Sequence, residues 1–160
     1  MQFSETAQRD YEEILHHYPS KEAAVKTVLW LAQREFGTIT SDVESYLSEL
    51  MGVPIAQIHG VASFYTMFHK RSVGKYHIQV CHNLPCSLLG AEHLIDHLRE
   101  LLNIEVGETT EDGLFTLSEV ECLGSCGTAP MMQINGDYYE SLTAEGVDGI
   151  IAKLRNGGAA

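Results

Sequence analysis

The chain is 160 residues long, 44% hydrophobic and 20% charged, enough for one globular domain or two small ones with a buried core. Ten Lys and Arg against 22 Asp and Glu leave a net charge of -12, the wrong sign for general attraction to nucleic-acid phosphates or anionic lipid, so no nucleic-acid partner is expected. The longest apolar run, Val28 to Ala32, is five residues against the ~20 that cross a bilayer, and the opening Met1-Gln2-Phe3-Ser4-Glu5 has no leader pattern; a cytoplasmic chain without direct membrane insertion is expected.

The first part reads as helical throughout. Ala7, Tyr11, Ile14, Leu15 and Tyr18 share one helical face, and Val25, Val28, Leu29, Ala32 and Phe36 another, with Gly37 placed to end the second helix. Ser41 with Glu44 makes a capping box for a third helix, whose stripe of Val43, Tyr46, Leu47, Leu50 and Met51 closes at Gly52. Pro54 suits the first turn of a fourth, carrying Ile55, Ile58, Val61, Ala62, Tyr65 and Phe68. These predict a small antiparallel bundle over residues 1–72, followed by a polar joint, Lys70-Arg71-Ser72-Val73-Gly74-Lys75.

Past residue 75 the pattern changes. Tyr76-His77-Ile78-Gln79-Val80 alternates as a strand and delivers Cys81 to a loop, and residues 87–103 read as a helix with Leu88, Ala91, Leu94, Ile95, Leu98, Leu101 and Leu102 inward. Leu114 to Glu121 reads as a second strand ending at Cys122. Met131 to Ile134 and Tyr138 to Ser141, split by Asn135-Gly136-Asp137, make a hairpin, and Thr143 caps a last helix to about Arg155, with Gly157 to Ala160 a frayed tail. The fold class is α+β: a helical bundle, residues 1–72, then a domain over residues 73–160 with a four-stranded sheet and two helices.

Charge and cysteines are both uneven. Residues 1–75 hold seven basic and nine acidic residues, whereas residues 76–160 hold three and thirteen, and all four cysteines lie in that acidic part. Cys81 and Cys86 form C-x4-C, Cys122 and Cys126 form C-x3-C, and 35 residues separate the pairs. In a reducing compartment structural disulfides are not expected. Two pairs in loops at strand ends can converge into one four-thiolate site, which suits a [2Fe-2S] cluster or a structural zinc, with buried or regulatory thiols as a third reading. Structural zinc most often takes a two-residue gap, narrower than either gap here, and a thioredoxin-type redox pair needs C-x-x-C, which is absent. An anionic cluster needs hydrogen-bond donors. Gly124 and Gly127 free the second loop's N–H groups to face sulfur, and a helix beginning just after Cys86 presents its positive end.

The loops Cys81-His82-Asn83-Leu84-Pro85-Cys86-Ser87-Leu88-Leu89-Gly90 and Cys122-Leu123-Gly124-Ser125-Cys126-Gly127-Thr128-Ala129-Pro130 resemble those of the thioredoxin-like [2Fe-2S] ferredoxins. So does the upstream stretch His59-Gly60-Val61-Ala62-Ser63-Phe64-Tyr65-Thr66-Met67-Phe68, where Ser63 replaces a frequent threonine. The likeness runs over nearly the whole chain and is close to the family's members that serve NADH:quinone oxidoreductase, respiratory complex I. It implies a thioredoxin-like second domain and one [2Fe-2S] cluster held by Cys81, Cys86, Cys122 and Cys126. It also implies a larger partner subunit with FMN, the NADH site and a [4Fe-4S] cluster, further peripheral-arm subunits, and a place on the cytoplasmic side of the inner membrane. Relatives serve NAD-dependent formate dehydrogenases and NAD-linked hydrogenases, which these motifs do not separate.

NADH gives up two electrons together as hydride, whereas a binuclear cluster takes one at a time, so a flavin must stand between them. The chain has no G-x-G-x-x-G after a strand and no P-loop, which makes it an electron-carrying subunit of an oxidoreductase with no catalytic residue of its own. Glu119 and Glu121 beside Cys122 argue for a low reduction potential. The rival from another class is a zinc-stabilised interaction module.

Other candidates favour plain readings. His82 follows a cysteine, but four cysteines already complete a site; His93 and His97 lie off their helix's apolar stripe; His16 and His17 complement a helix end. By resemblance, Pro130 sits beside the cluster like the cis-proline of thioredoxin folds. Phe64, Tyr65, Met67 and Phe68 exceed what one helical face buries, and they read either as bundle core or, in part, as a patch that docks on the flavin-bearing partner. The acidic surface serves either solubility or partner steering.

Overall fold

Side-chain caps start three of the four N-terminal helices. Ser4 Oγ accepts from Ala7 N–H at 3.2 Å to open α1 (Glu5–His16), and Ser20 Oγ accepts from Ala23 N–H at 3.4 Å to open α2 (Lys21–Phe36). Thr40, not Ser41, caps α3 (Ser41–Met51): its Oγ1 accepts from Val43 N–H at 3.5 Å, so the cap sits one residue earlier than expected and the capping box does not form. Glu44 instead turns inward, 7% exposed, with its carboxylate 3.0 Å from His59 Nδ1. Pro54 stands just before α4 (Ile55–Phe64), at the cap position rather than inside the first turn. Gly37 and Gly52 end α2 and α3 with positive φ, 81° and 66°, where a Cβ would be strained.

The expected fourth helix is too long at its end. Tyr65 is extended (ψ 113°), and the segment to Phe68 turns away instead of continuing the helix. The cause lies in α2: Gln33, buried at 8% exposure, donates to Met67 O at 3.0 Å and accepts from His69 N–H at 2.6 Å. That capture sorts the aromatic patch. Phe68 is 3% exposed against Trp30 (ring centroids 5.7 Å), whereas Phe64 is 78% exposed. Gln33→Ala leaves two backbone groups without their amide partner, and an unfolding-stability loss of about 1–3 kcal/mol by urea titration is expected. Val28, Leu29, Leu47, Met51 and Ile58 fill the core between the helices. Phe3 closes it from the N-terminal side, stacked on Phe36 at 5.5 Å.

Val73 opens a second compact unit, the chain dividing into Met1–Ser72 and Val73–Ala160. The computed structural model describes residues 1–157; residues 158–160, part of the tail expected to fray, lie outside them. The unit contains β1 (Tyr76–Cys81), α5 (Leu84–Leu88), α6 (Ala91–Leu102), β2 (Phe115–Val120), β3 (Met132–Ile134), β4 (Asp137–Tyr139) and α7 (Ala144–Arg155). Its sheet has the four strands expected and runs β2-β1-β3-β4, with β1 and β2 parallel and the remaining pairs antiparallel.

Register shows why the sheet has one dry face. Tyr76 pairs with Phe115, Ile78 with Leu117 and Ile134, and Val80 with Met132, all buried, while the alternate positions His77, Gln79, Thr116, Ser118 and Gln133 are polar. Helix α6 packs on β1 and β2 and against α7, presenting Leu94, Ile95 and Leu98 to this core, which Val147, Ile151 and Leu154 of α7 complete. At the unit's start, Gly74 runs so close to Leu114 that a Cβ would lie 2.9 Å from its carbonyl carbon.

The single helix expected over residues 87–103 is two. Gly90, at φ 97°, breaks it, and α5 starts at Leu84 with Asn83 as its cap. Leu88, expected inward, is 77% exposed because it belongs to this separate short helix.

Candidate metal centre

Cys81 is the last residue of β1, and Cys122 lies two residues beyond the end of β2. Because these strands are parallel and Cys81 pairs with Val120, both cysteine loops leave the same end of the sheet. Backbone bonds hold that end on both sides: Cys81 N–H donates to Met131 O at 3.2 Å and His82 N–H to Val120 O at 3.1 Å. The loops are also tied directly, Asn83 Nδ2 donating to Glu121 Oε2 at 2.7 Å.

The two pairs differ in surroundings. Cys81 and Cys86 are 3% and 1% exposed in an apolar pocket with Ala91 and Met131, flanked by Leu123 and Ala129. Cys122 and Cys126 are exposed, their sulfurs 3.8 Å apart. Cys81 and Cys86 share that one pocket. Burial, reinforced by the hydrogen bond with Cys81, pushes the Cys86 thiol up to about 11. Cys126 is held above the ordinary thiol range first by its hydrogen bond with Cys122 and then by that neighbour's charge. A bound metal would replace the protons of its thiol ligands with positive charge.

Among the described residues no group of three or more His, Cys, Asp or Glu surrounds a single ion position. What the fold assembles is two close thiol pairs on neighbouring loops. A [2Fe-2S] core takes one thiolate pair on each iron. The donor set therefore fits the binuclear group. Gly124, at φ 87°, turns its N–H onto Cys122 Sγ at 3.4 Å, the kind of donor expected from this loop. The other expected donor does not form: Cys86 lies inside five-residue α5, so no helix begins directly after it, and α6 starts only at Ala91.

Two residues outside the cysteine motifs reach this loop. Tyr138 of β4 donates its hydroxyl to Leu123 O at 2.8 Å. Glu140 accepts from Thr128 Oγ1 at 2.6 Å and from Ser125 Oγ, and the two hydroxyls hold its carboxyl below the usual range. Nothing in the sequence distinguishes them from ordinary hairpin residues. Pro130 follows a cis peptide bond from Ala129. Of the histidines, His82 lies beside the cysteine loops with Nε2 4.0 Å from Glu121, whereas His97 Nε2 is 2.7 Å from Asp148 and His17 Nδ1 meets Glu13 O at 2.8 Å. No helix among the described residues is long and apolar enough to cross a membrane.

The family model for thioredoxin-like [2Fe-2S] ferredoxins matches residues 11–155. A component of the NADH-quinone oxidoreductase of Rickettsia conorii is 45% identical, covering 91% of this chain and 89% of that protein. Its counterpart in the NADH-quinone oxidoreductase of Thermus thermophilus is 42% identical, covering 98% and 88%. Among solved structures, an NAD+-reducing [NiFe]-hydrogenase in the air-oxidised state superimposes with a TM-score of 0.72 at 25% identity, over 83% of this chain and 23% of that one.

Proposed function

Since the chain belongs to the thioredoxin-like [2Fe-2S] ferredoxin family, we propose that it is the electron-carrying subunit of an NADH:quinone oxidoreductase, with Cys81, Cys86, Cys122 and Cys126 holding one [2Fe-2S] cluster. The observation that carries this is the pairing of four thiols at one end of two parallel strands. When bound, the cluster supplies one-electron exchange.

The chain's own residues divide the remaining work. Ala91, Met131, Leu123 and Ala129 keep water from the Cys81 and Cys86 side, while Cys122 and Cys126 lie on the open side, where a redox partner can approach. Gly124 N–H donates to sulfur, and the carboxylates of Glu121 and Glu140 nearby oppose added negative charge, favouring a low reduction potential.

The subunit works within a multi-subunit oxidoreductase. Two-electron hydride chemistry belongs on a larger partner that carries FMN, the NADH site and a [4Fe-4S] cluster, with other peripheral-arm subunits beside it on the cytoplasmic face of the inner membrane. The superposition on an NAD+-reducing hydrogenase favours a second reading, the equivalent subunit of such an enzyme.

Anaerobically purified protein is expected to be coloured, to contain about two irons and two sulfides per chain, and to give a paramagnetic signal after one-electron reduction. A colourless protein with one tightly bound zinc overturns the reading. Affinity capture of the full chain separates the two assemblies: an FMN subunit with quinone-reducing subunits supports the first, a nickel-iron subunit the second.

A further inference from the structure

The exposed cysteine loop has little structure of its own. Between β2 and β3 only a short 3-10 turn, Cys126–Thr128, is regular, and neither Cys122 nor Cys126 is anchored by burial. Its outer anchors come from one neighbouring segment. Tyr138 O–H donates to Leu123 O at 2.8 Å, the Glu140 carboxylate gathers the Ser125 and Thr128 hydroxyls, Ser141 N–H donates to Thr128 O at 2.7 Å, and Leu142 N–H to Pro130 O at 3.0 Å.

The two side-chain anchors bracket the sulfurs. Leu123 follows Cys122, and Ser125 precedes Cys126, so each tie acts one residue from a cysteine. Between them stands Gly124, whose N–H faces Cys122 Sγ. Tyr138 is 50% exposed, too open for packing to explain a large aromatic side chain there.

We propose that Tyr138 and Glu140 are positioning residues for the Cys122 and Cys126 thiolates, bracing their loop from β4 and the residue just after it and, through the Glu140 charge, setting how readily the site accepts an electron. The proposal rests on the cluster reading above. The two residues act differently. Tyr138 contributes a neutral hydrogen bond, so its loss loosens the loop without altering charge. Glu140 contributes both acceptors and a negative charge tied to the residue before Cys126, and that charge opposes reduction. Its two hydroxyl partners hold the carboxyl below the usual carboxylate range.

Full-length parent, Tyr138→Phe and Glu140→Gln proteins, purified anaerobically with their clusters, separate these roles. For Tyr138→Phe, loss of visible absorbance to an iron chelator is expected to run about fivefold faster than in the parent, with the potential unchanged. For Glu140→Gln, which keeps an acceptor oxygen, redox titration followed by the paramagnetic signal is expected to show reduction about tenfold more favourable, ~59 mV for a one-electron couple. Parent-like retention in Tyr138→Phe or a parent-like potential in Glu140→Gln overturns the proposal while leaving the cluster intact. A parent chain that takes up no iron overturns the cluster reading and this inference with it.

Discussion

Cys122→Ala is expected to erase the visible absorption of the iron-loaded protein and leave the N-terminal helices folded. Cys122 is exposed, so its thiol contributes little to packing, and a surface change of this kind alters stability by about 0.5 kcal/mol or less. The core of the first unit contains none of the four cysteines. A binuclear cluster, by contrast, needs a thiolate pair on each iron, and Cys126 cannot complete its pair alone. Absorption spectra and far-UV circular dichroism of the same preparation read both effects. Unaltered visible bands would remove Cys122 from the ligand set.

Phe115→Ala is expected to cost about 3–5 kcal/mol, a large fraction of a small domain's stability. Phe115 is fully buried at the start of β2, its ring 5.6 Å from that of Tyr76 on the neighbouring strand, with the Arg155 guanidinium 5.8 Å above it. Truncation opens a cavity between strands whose pairing fixes where the cysteine loops leave the sheet. Urea unfolding followed by far-UV dichroism gives the stability change, and a value below about 1 kcal/mol would mean that the site closes over the missing ring.

Helix positions were legible where the signal was local. Gly37 and Gly52 stop their helices because a left-handed residue follows the last turn, and Thr143 caps α7 through a 3.1 Å bond to Gly146 N–H. Of two departures from the helical spacing, one has a distant cause and the other a local glycine. Periodicity carried the fourth helix through Tyr65 to Phe68, but Gln33, more than thirty residues earlier, offers Met67 and His69 better partners than another helical turn. Leu88 fits the apolar stripe of α6 in spacing alone; Gly90 rotates it out of that stripe.

The candidate site divides in the same way. Two thiol pairs, a glycine-rich second loop and an acidic setting are all properties of residue identity and spacing, readable without coordinates. That β1 and β2 lie side by side in parallel, which brings the pairs to one sheet end, follows from a long crossover through α5 and α6 and is a tertiary fact.

By itself, then, the sequence determined the chemistry on offer: four sulfur donors in two close pairs, carried by an acidic sheet-forming part behind a helical one. Tertiary structure alone decided that one pair is sealed in an apolar pocket and the other left open, and that Tyr138 and Glu140 brace the open loop. The physical reason is range. Spacing and propensity act over a few residues of chain, whereas burial and the hydrogen bonds that hold an irregular loop come from segments that only the folded sheet brings beside it.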